Sequence, residues 1–142
     1  MKRIFFFSVP LLVALNLFAK EVYIDPGPNA QERLQEALIL IDEGDTLIIK
    51  SGYYKFEDGL SLDVDDVTVK GEGIDSTILD FKNQQSGAQG LLVTSDKVTL
   101  SDFSILDAKG DALKVIGAQG INMINLKTEW TGGPKSLSLI HI

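Results

Sequence analysis

The sequence has no cysteine, and among its 142 residues only one is histidine and one is tryptophan. Without cysteine, disulfides cannot hold an exported fold together, and a zinc site of cysteine and histidine is excluded. There is also no glycine-rich phosphate loop that ends in lysine. With the single histidine discounted below, no Ser-His-Asp set is available. Nucleotide-binding and hydrolase hypotheses therefore lack support.

Positive charge is also scarce. The chain carries 13 basic and 20 acidic residues, which gives a formal net charge of −7. Such a surface repels polyanions, so nucleic acid is disfavoured as a partner. The length allows one domain at most.

Residues 1–19 have the pattern of a secretory signal peptide. Lys2 and Arg3 precede an apolar run, and Ala19 offers a small residue for cleavage. A membrane-spanning helix is the alternative, but the run is short and contains a proline and an asparagine. We therefore predict a chain that is exported to the periplasm, the cell envelope or the medium, with no stable membrane span after cleavage.

The last six residues, 137–142, read LSLIHI. They match the translation of a transposon mosaic end that is used to make sequencing libraries, so we interpret them as adapter-derived sequence. A natural apolar C-terminus is the alternative. On the adapter interpretation the authentic sequence ends at about Ser136, and His141 carries no chemistry.

One arrangement of apolar residues occurs three times. The copies are GLSLDVDDVTVKG from Gly59, GLLVTSDKVTLSD from Gly90 and ALKVIGAQGINMIN from Ala112. Each copy contains two short strands of period two that are joined by a polar corner, and the third has one extra residue in that corner. Such strands are too short to bury a face alone, so repetition at this spacing indicates a solenoid of stacked coils.

The shared offsets predict which residues stack on one another inside the coils. We expect one column of Leu60, Leu91 and Leu113, and another of Val69, Leu100 and Met123. A parallel stack places successive strands about 4.8 Å apart.

The position four residues into the second strand of each copy is Gly71, Asp102 or Asn125. These residue types best tolerate a positive φ, so we expect a repeated corner in the left-handed region.

A helix is predicted before the first coil, at about residues 29–43. Asn29 followed by Glu32 has the spacing of a capping box, and an apolar face ends before Gly44. That face consists of Leu34, Ala37, Leu38 and Ile41. A solenoid needs a cap over its first coil, and this helix fits the need. The EVYI segment before it, Glu21–Ile24, is predicted as a short strand.

The helix is followed by GDTLIIKSGYY from Gly44, and then by the stacked GLxL and VTVKG units. This order resembles the secreted right-handed parallel β-helix proteins of the pectin-lyase-like group, especially polysaccharide lyases that act on alginate and chondroitin. The resemblance covers about Val22 to Trp130. It implies an all-β, right-handed parallel β-helix over residues 20–136, with the helical cap at about 29–43 and roughly four coils at about 45–130.

Two further segments are assigned from their sequence. STILDF from Ser76 is echoed by SILDA from Ser104, and both are predicted as the third strands of their coils. The polar segment Lys82–Gln89 is predicted as a projecting loop. Such a loop either lines a substrate groove or is an ordinary surface loop.

Three groups are candidates for chemistry, each with a structural alternative. Asp63, Asp65 and Asp66 could supply oxygen ligands to Ca²⁺ or be solvated turn residues, and Asp107 with Asp111 raises the same choice. Lys127, Glu129 and Trp130 form either a sugar platform or a coil edge. No catalytic, cofactor-binding or metal-binding residue is assigned.

Two functions of different class follow. The first is an exported β-helix protein that binds an extracellular or envelope carbohydrate. The second, implied by the resemblance, is a polysaccharide lyase or epimerase acting on a uronate polymer, in which Ca²⁺ or basic groups neutralise the sugar carboxylate. Its catalytic residues would lie in coils beyond this sequence. The acidity of the chain favours the first function.

Overall fold

The structure, a computed structural model, describes residues 4–5, 18–132 and 140–142. Most of the predicted signal peptide and half of residues 137–142 lie outside the described residues, so both assignments stay predictions. Among the described residues, no helix has the length and apolar character needed to cross a membrane.

The described chain consists of one helix and short strands. They are β1 (Glu21–Ile24), α1 (Ala30–Leu40), β2 (Thr46–Ile49), β3 (Gly52–Lys55), β4 (Leu60–Leu62), β5 (Thr68–Lys70), β6 (Thr77–Asp80), β7 (Gln89–Val93), β8 (Thr99–Leu106), β9 (Asp111–Val115), β10 (Asn122–Glu129) and β11 (Ile140–His141). The GDTLIIKSGYY segment forms β2 and β3, and the predicted EVYI strand is β1.

All strand pairs are parallel and run from one coil to the next. One sheet has the order β1-β2-β5-β8-β6-β3, with β10 on β8, and the other has the order β11-β9-β7-β4. Coil 1 is β2–β4, coil 2 is β5–β7, coil 3 is β8–β9 and coil 4 is β10–β11. With β1 stacked before coil 1 the solenoid has about five levels. The predicted parallel β-helix is confirmed, while its hand stays a prediction.

The predicted stacking register is confirmed. Leu60 lies opposite Leu91 and Leu91 opposite Leu113, while Leu100 lies between Val69 and Met123. Leu91, Leu100 and Leu113 are buried. Strand alternation puts these side chains inside the coil, where each covers its counterpart in the next level.

The SILDA segment differs from its prediction. It is the second half of β8 rather than a separate strand, and Leu79 of β6 lies opposite Ile105. The shared letters are therefore offset by one residue. Burial explains the offset, because Leu79 and Ile105 are both buried whereas Ile78 is half-buried on the outer side.

The corner column of positive φ is confirmed at two of its three positions. Asp102 has φ 62° and Asn125 has φ 48°. Gly71 is not in the left-handed region, so that expectation was wrong. A Cβ on Gly71 would lie 2.2 Å from the Asp102 carbonyl oxygen, which means that glycine is needed there for close approach of the next coil.

A second left-handed column lies at the corner between the two sheets. Its members in successive coils are Gly44, Asp66, Lys97 and Gly120, with φ values of 87°, 57°, 56° and 71°. The Gly44 N–H donates to the Asp66 carbonyl, and the Asp66 N–H donates to the carbonyl of Asp96. Asp66, Lys97 and Gly120 occupy equivalent positions in the three repeat copies. Their residue types differ, so the sequence did not indicate a shared positive φ.

The cap helix is shorter than predicted and begins differently. It spans Ala30–Leu40, and Asn29 makes no side-chain capping bond because its own backbone is left-handed, with φ 57°. The capping-box expectation was therefore wrong. The predicted apolar face is confirmed, since Leu34 and Leu38 are buried over coil 1.

Two glutamines of α1 bond the otherwise open edge of coil 1. The Gln35 side chain accepts from the Ser61 N–H at 2.9 Å and donates to the Ser61 carbonyl at 3.1 Å. One turn earlier, Gln31 Oε1 accepts from the Glu57 N–H at 2.7 Å. The helix thus supplies both apolar cover and the hydrogen bonds that a preceding coil would provide.

Candidate functional site

The acidic corner proposed for calcium is occupied by hydrogen bonds within the fold. Asp63 Oδ1 accepts from the Thr94 hydroxyl at 2.7 Å, and Asp65 Oδ1 accepts from the Asp96 N–H at 2.8 Å. Asp66 is a member of the second left-handed column, with φ 57°. Among the described residues, no three acidic or histidine side chains converge on a metal-sized site. The carboxylate oxygens of Asp63, Asp65 and Asp66 do not form a calcium site of the usual kind.

The second acidic pair is not brought together in one site. Asp107 is buried, and its two carboxylate oxygens accept from the N–H and the hydroxyl of Thr131 in the next coil. Asp111 belongs to β9 in the other sheet, and its Oδ2 lies 3.8 Å from Lys114 Nζ and 3.3 Å from His141 Nδ1. Asp107 therefore links one coil to the next.

The Lys127, Glu129 and Trp130 group lies at the exposed end of β10. Lys127 Nζ and Glu129 Oε2 are 2.7 Å apart, and the hydrogen bond to Glu129 raises the pKa of Lys127. Trp130 is half-exposed beside them. These residues lie on the strand that forms the edge of coil 4.

The polar segment Lys82–Gln89 is tied down rather than projecting freely. Gln84 is buried; its Nε2 donates to the Ser86 and Gln89 carbonyls at 2.9 Å each, and its Oε1 accepts from the Lys109 N–H at 2.9 Å. The Gln85 N–H also reaches back to the Glu57 carbonyl in coil 1. The loop therefore bridges three coils, because the buried Gln84 bonds to coil 3 and the Gln85 backbone bonds to coil 1.

A concavity runs across the outer faces of β1, β2 and β5, and we call it the strand groove. Its volume is ≈ 850 Å³. It is lined by two outward columns and one corner: Glu21, Thr46 and Thr68; Tyr23, Ile48 and Lys70; and Gly71, Glu72 and Asp102. The sequence analysis missed this site, although the outward positions of the aligned strands already contained its columns.

An insertion in coil 2 forms one wall of the strand groove. Lys70 pairs with Ser101 and Thr77 begins β6, so residues 71–76 occupy the place that the tight corner at Asp102 occupies in coil 3. Glu72, within this insertion, accepts from the Ser51 N–H at 2.6 Å and the Ser51 hydroxyl at 2.7 Å. These bonds fix the wall to coil 1.

A tyrosine and a lysine meet at the β1 end of the strand groove. The Tyr23 hydroxyl donates to Glu21 Oε2, which raises the pKa of Tyr23, and half of the Tyr23 side chain (50%) is exposed. Lys50 Nζ lies 5.3 Å from the centroid of the Tyr23 ring. The ring is thus tethered through its hydroxyl and lies beneath the Lys50 ammonium group.

Two carboxylates of the strand groove are kept ionised. Hydrogen bonds from the Ser51 side chain and backbone lower the pKa of Glu72, with a smaller contribution from Lys50. A hydrogen bond from Asn125 lowers the pKa of Asp102, with further contributions from Ser101 and Lys70. Ionised carboxylates accept hydrogen bonds well but cannot act as general acids near neutral pH. This arrangement suits binding.

A smaller pocket lies between the start of α1 and coil 1. Its volume is ≈ 570 Å³, and Tyr53, Glu57 and Asn83 are among its lining residues. The Tyr53 hydroxyl donates to Asp80 Oδ2 at 2.6 Å, which raises the pKa of Tyr53 to about 12. The helix closes this pocket at one side, whereas the strand groove crosses successive levels of the solenoid.

Comparison with solved structures identifies the architecture. The alginate lyase AlyGC of family PL6 superposes with a TM-score of 0.60 over 83% of this chain, at 18% sequence identity. The shared fold is a parallel β-helix. A mutant of the same lyase gives a TM-score of 0.58 over 87% of this chain at 16% identity. A pectin methylesterase mutant in complex with a hexasaccharide gives 0.56 over 86% at 12% identity.

The chain spans only part of the length of those proteins. It covers 18% and 20% of the two alginate lyase chains and 48% of the pectin methylesterase chain. No protein-family model matches the sequence, and no curated protein matches it. The similarity therefore concerns the fold.

Proposed function

We propose that this chain is part of an exported β-helix protein that binds a polysaccharide in the strand groove. The observation that carries the proposal is a groove across three successive strands, lined both by the half-exposed Tyr23 ring and by Thr46 and Thr68 in the neighbouring column. The neighbouring folds come from enzymes named for alginate and pectin, which supports a carbohydrate as the ligand class. Export rests on the predicted signal peptide.

The geometry of stacked strands suits a linear glycan. Neighbouring strands lie about 4.8 Å apart, which is comparable to the length of one hexopyranose residue in an extended chain. A glycan that lies along the solenoid axis would therefore place about one sugar residue over the outward side chains of each level. The backbone groups of β2 are already paired on both edges, so recognition falls to outward side chains.

The two outward columns offer complementary contacts to a sugar. The Tyr23 ring provides an apolar face for the C–H groups of a pyranose ring, and its tether to Glu21 limits the entropy lost on binding. Thr46 and Thr68 lie directly opposite each other and provide hydroxyls that both donate and accept. A sugar can thus stack at β1 and hydrogen-bond at β2 and β5.

Glycan binding to the immobilised full chain tests the proposal, with Tyr23→Ala as the site variant. We expect Tyr23→Ala to weaken binding of the best glycan about tenfold, because a stacked aromatic contact is removed. Tyr53→Ala is the matched control, since Tyr53 is also half-exposed and bonded to a carboxylate but lies outside the groove. Equal losses in both variants, or no binding to any glycan, would contradict the proposal.

The alternative function is a lyase or epimerase acting on a uronate polymer, and the likeness to alginate lyases favours it. Among the described residues no base and charge-neutralising group are seen to converge on one sugar position, so its chemistry would have to lie elsewhere in a longer protein. Elimination creates a C4–C5 double bond that absorbs ultraviolet light. Growth of that absorbance when alginate meets the full-length protein would favour this alternative.

A further inference from the structure

The charges of the strand groove indicate which class of glycan it accepts. Three carboxylates line it, those of Glu21, Glu72 and Asp102, and one lysine, Lys70. Lys50 lies at its edge above Tyr23. The balance in the groove is thus negative, as it is for the whole chain.

Both lysines have carboxylates of the groove near them. Lys70 contributes to the lowered pKa of Asp102, and Lys50 contributes to the lowered pKa of Glu72, so each is near a carboxylate. A uronate carboxylate that entered the groove would have to compete with these protein carboxylates for the same ammonium groups. Like charges placed together at an interface are costly, and the cost grows as water is excluded.

The groove also lacks the side chain best suited to carboxylates. The sequence has two arginines, Arg3 and Arg33. Arg33 is on α1, where its Nη2 donates to the Asp25 carbonyl at 2.8 Å, and it does not line the groove. The planar, two-pronged recognition of a carboxylate is therefore not built into this surface by any described residue.

From these observations we infer that the strand groove binds an uncharged, hydroxyl-rich glycan chain in preference to a polyuronate. Its ionised carboxylates accept hydrogen bonds from sugar hydroxyls, and Thr46 and Thr68 donate to or accept from their neighbours. Tyr23 stacks on one pyranose face. This inference rests on the proposed function, but it names a ligand chemistry that differs from the substrates for which the structural neighbours are named.

Hexasaccharides of matched length provide the test. Cellohexaose, mannohexaose, xylohexaose and laminarihexaose are compared with hexamers of mannuronate, guluronate and galacturonate, on the immobilised full chain with a chelator present. We expect at least one uncharged hexamer to bind at least about tenfold more tightly than every uronate hexamer. Added salt should narrow this difference by weakening the repulsion of the uronates, while binding of the uncharged hexamer stays constant.

Charge reversal locates the cause of the preference. Glu21→Lys should raise uronate affinity several-fold, because it changes the field inside the groove. Glu36→Lys is the matched control: it makes the same change in net charge, but Glu36 is exposed on α1 outside the groove. An equal gain in both variants would overturn the assignment to the groove and attribute the effect to net charge.

The outcomes separate this inference from the proposed function. If any uronate hexamer bound more tightly than every uncharged hexamer, with or without added Ca²⁺, the inference would be overturned and glycan binding would be left intact. Absence of binding to every hexamer would overturn both. Preference for an uncharged hexamer that is insensitive to Tyr23→Ala would place the glycan on another surface and overturn the inference.

Discussion

Asn125 donates its side-chain amide to the carboxylate of Asp102, with 2.9 Å between Nδ2 and Oδ1. The two residues occupy the same left-handed corner in consecutive coils. One position of the repeat therefore serves two purposes. It turns the backbone, and it links one coil to the next through a charge-assisted hydrogen bond.

This bond predicts a pH dependence of stability. The pKa of Asp102 is lowered in the folded chain, chiefly by the Asn125 bond, from an ordinary value of 3.8. A lowered folded pKa means that the stabilisation is present above the unfolded pKa and is lost as the pH falls through the folded pKa. In denaturant titrations, the denaturant concentration at the unfolding midpoint falls as the pH is taken below about 4. We expect this fall to be smaller in Asp102→Asn than in the unaltered chain. Asn125→Gly, which keeps a residue tolerant of positive φ but removes the donor, should have a similar effect. Unchanged pH profiles in both variants would contradict the assignment.

The interior column predicts the effect of a buried charge. Leu100 is fully buried (0% exposed) between Val69 and Met123. Leu100→Asp should destabilise the fold by more than about 4 kcal/mol, because a charge without a partner enters the core, and the β signal in circular dichroism should be lost. Thr99→Asp is the control, since Thr99 immediately precedes Leu100 in the strand and its side chain points outward. Similar spectra for the two variants would argue against the register.

The close approach of two coils at the corner predicts that no side chain is tolerated at position 71, where glycine stands. A Cβ there would lie 2.2 Å from the Asp102 carbonyl oxygen and 2.9 Å from the Phe103 Cβ. Gly71→Ala should lower the free energy of unfolding by about 1–3 kcal/mol, as expected for overpacking. Gly117→Asn is the contrasting substitution: φ is 65° with nothing within 4 Å, and asparagine tolerates the left-handed region. A larger loss for Gly117→Asn would contradict the packing explanation.

The buried amide of Gln84 predicts the behaviour of the loop it anchors. Gln84→Ala leaves the Gln89 carbonyl and the Lys109 N–H without their side-chain partner, which should cost about 1–3 kcal/mol. Trypsin should then cleave after Lys82 faster than in the unaltered chain. Gln85→Ala is the matched control, because the neighbouring side chain is exposed and bonds only to the Asn83 carbonyl. Equal cleavage rates in the two variants would show that Gln84 does not hold the loop.

The fold was largely predictable because its strongest signal is repetition. The offsets that Leu60 shares with Leu91, and Val69 with Leu100, fix both the strand register and the inside of the coil. A one-residue slip would turn these side chains outward, so burial allows one alignment. The shared ILD sequence gave a wrong alignment of STILDF with SILDA. Ile78 and Ile105 have the same position in that sequence, but their side chains lie on opposite faces of their strands.

The candidate site was much less predictable. The strand groove is made of outward positions, which the apolar pattern does not constrain, and of an insertion whose path depends on the bonds between Glu72 and Ser51. Acidic residues at corners suggested calcium, yet Asp65 accepts a backbone N–H from the next coil. In a solenoid, a polar side chain at a corner has an unpaired backbone group beside it in the next level, and a single sequence does not distinguish that partner from a ligand.

The bonds from Gln31 and Gln35 to coil 1 also restrict how copies of this chain could associate. Head-to-tail addition of identical subunits produces open filaments when both contact surfaces are free. Here α1 occupies the edge of β4, so the coil 4 strands of a second copy cannot add there. The helix therefore blocks that edge, and a further strand could pair with the β11-β9-β7-β4 sheet only at its opposite edge.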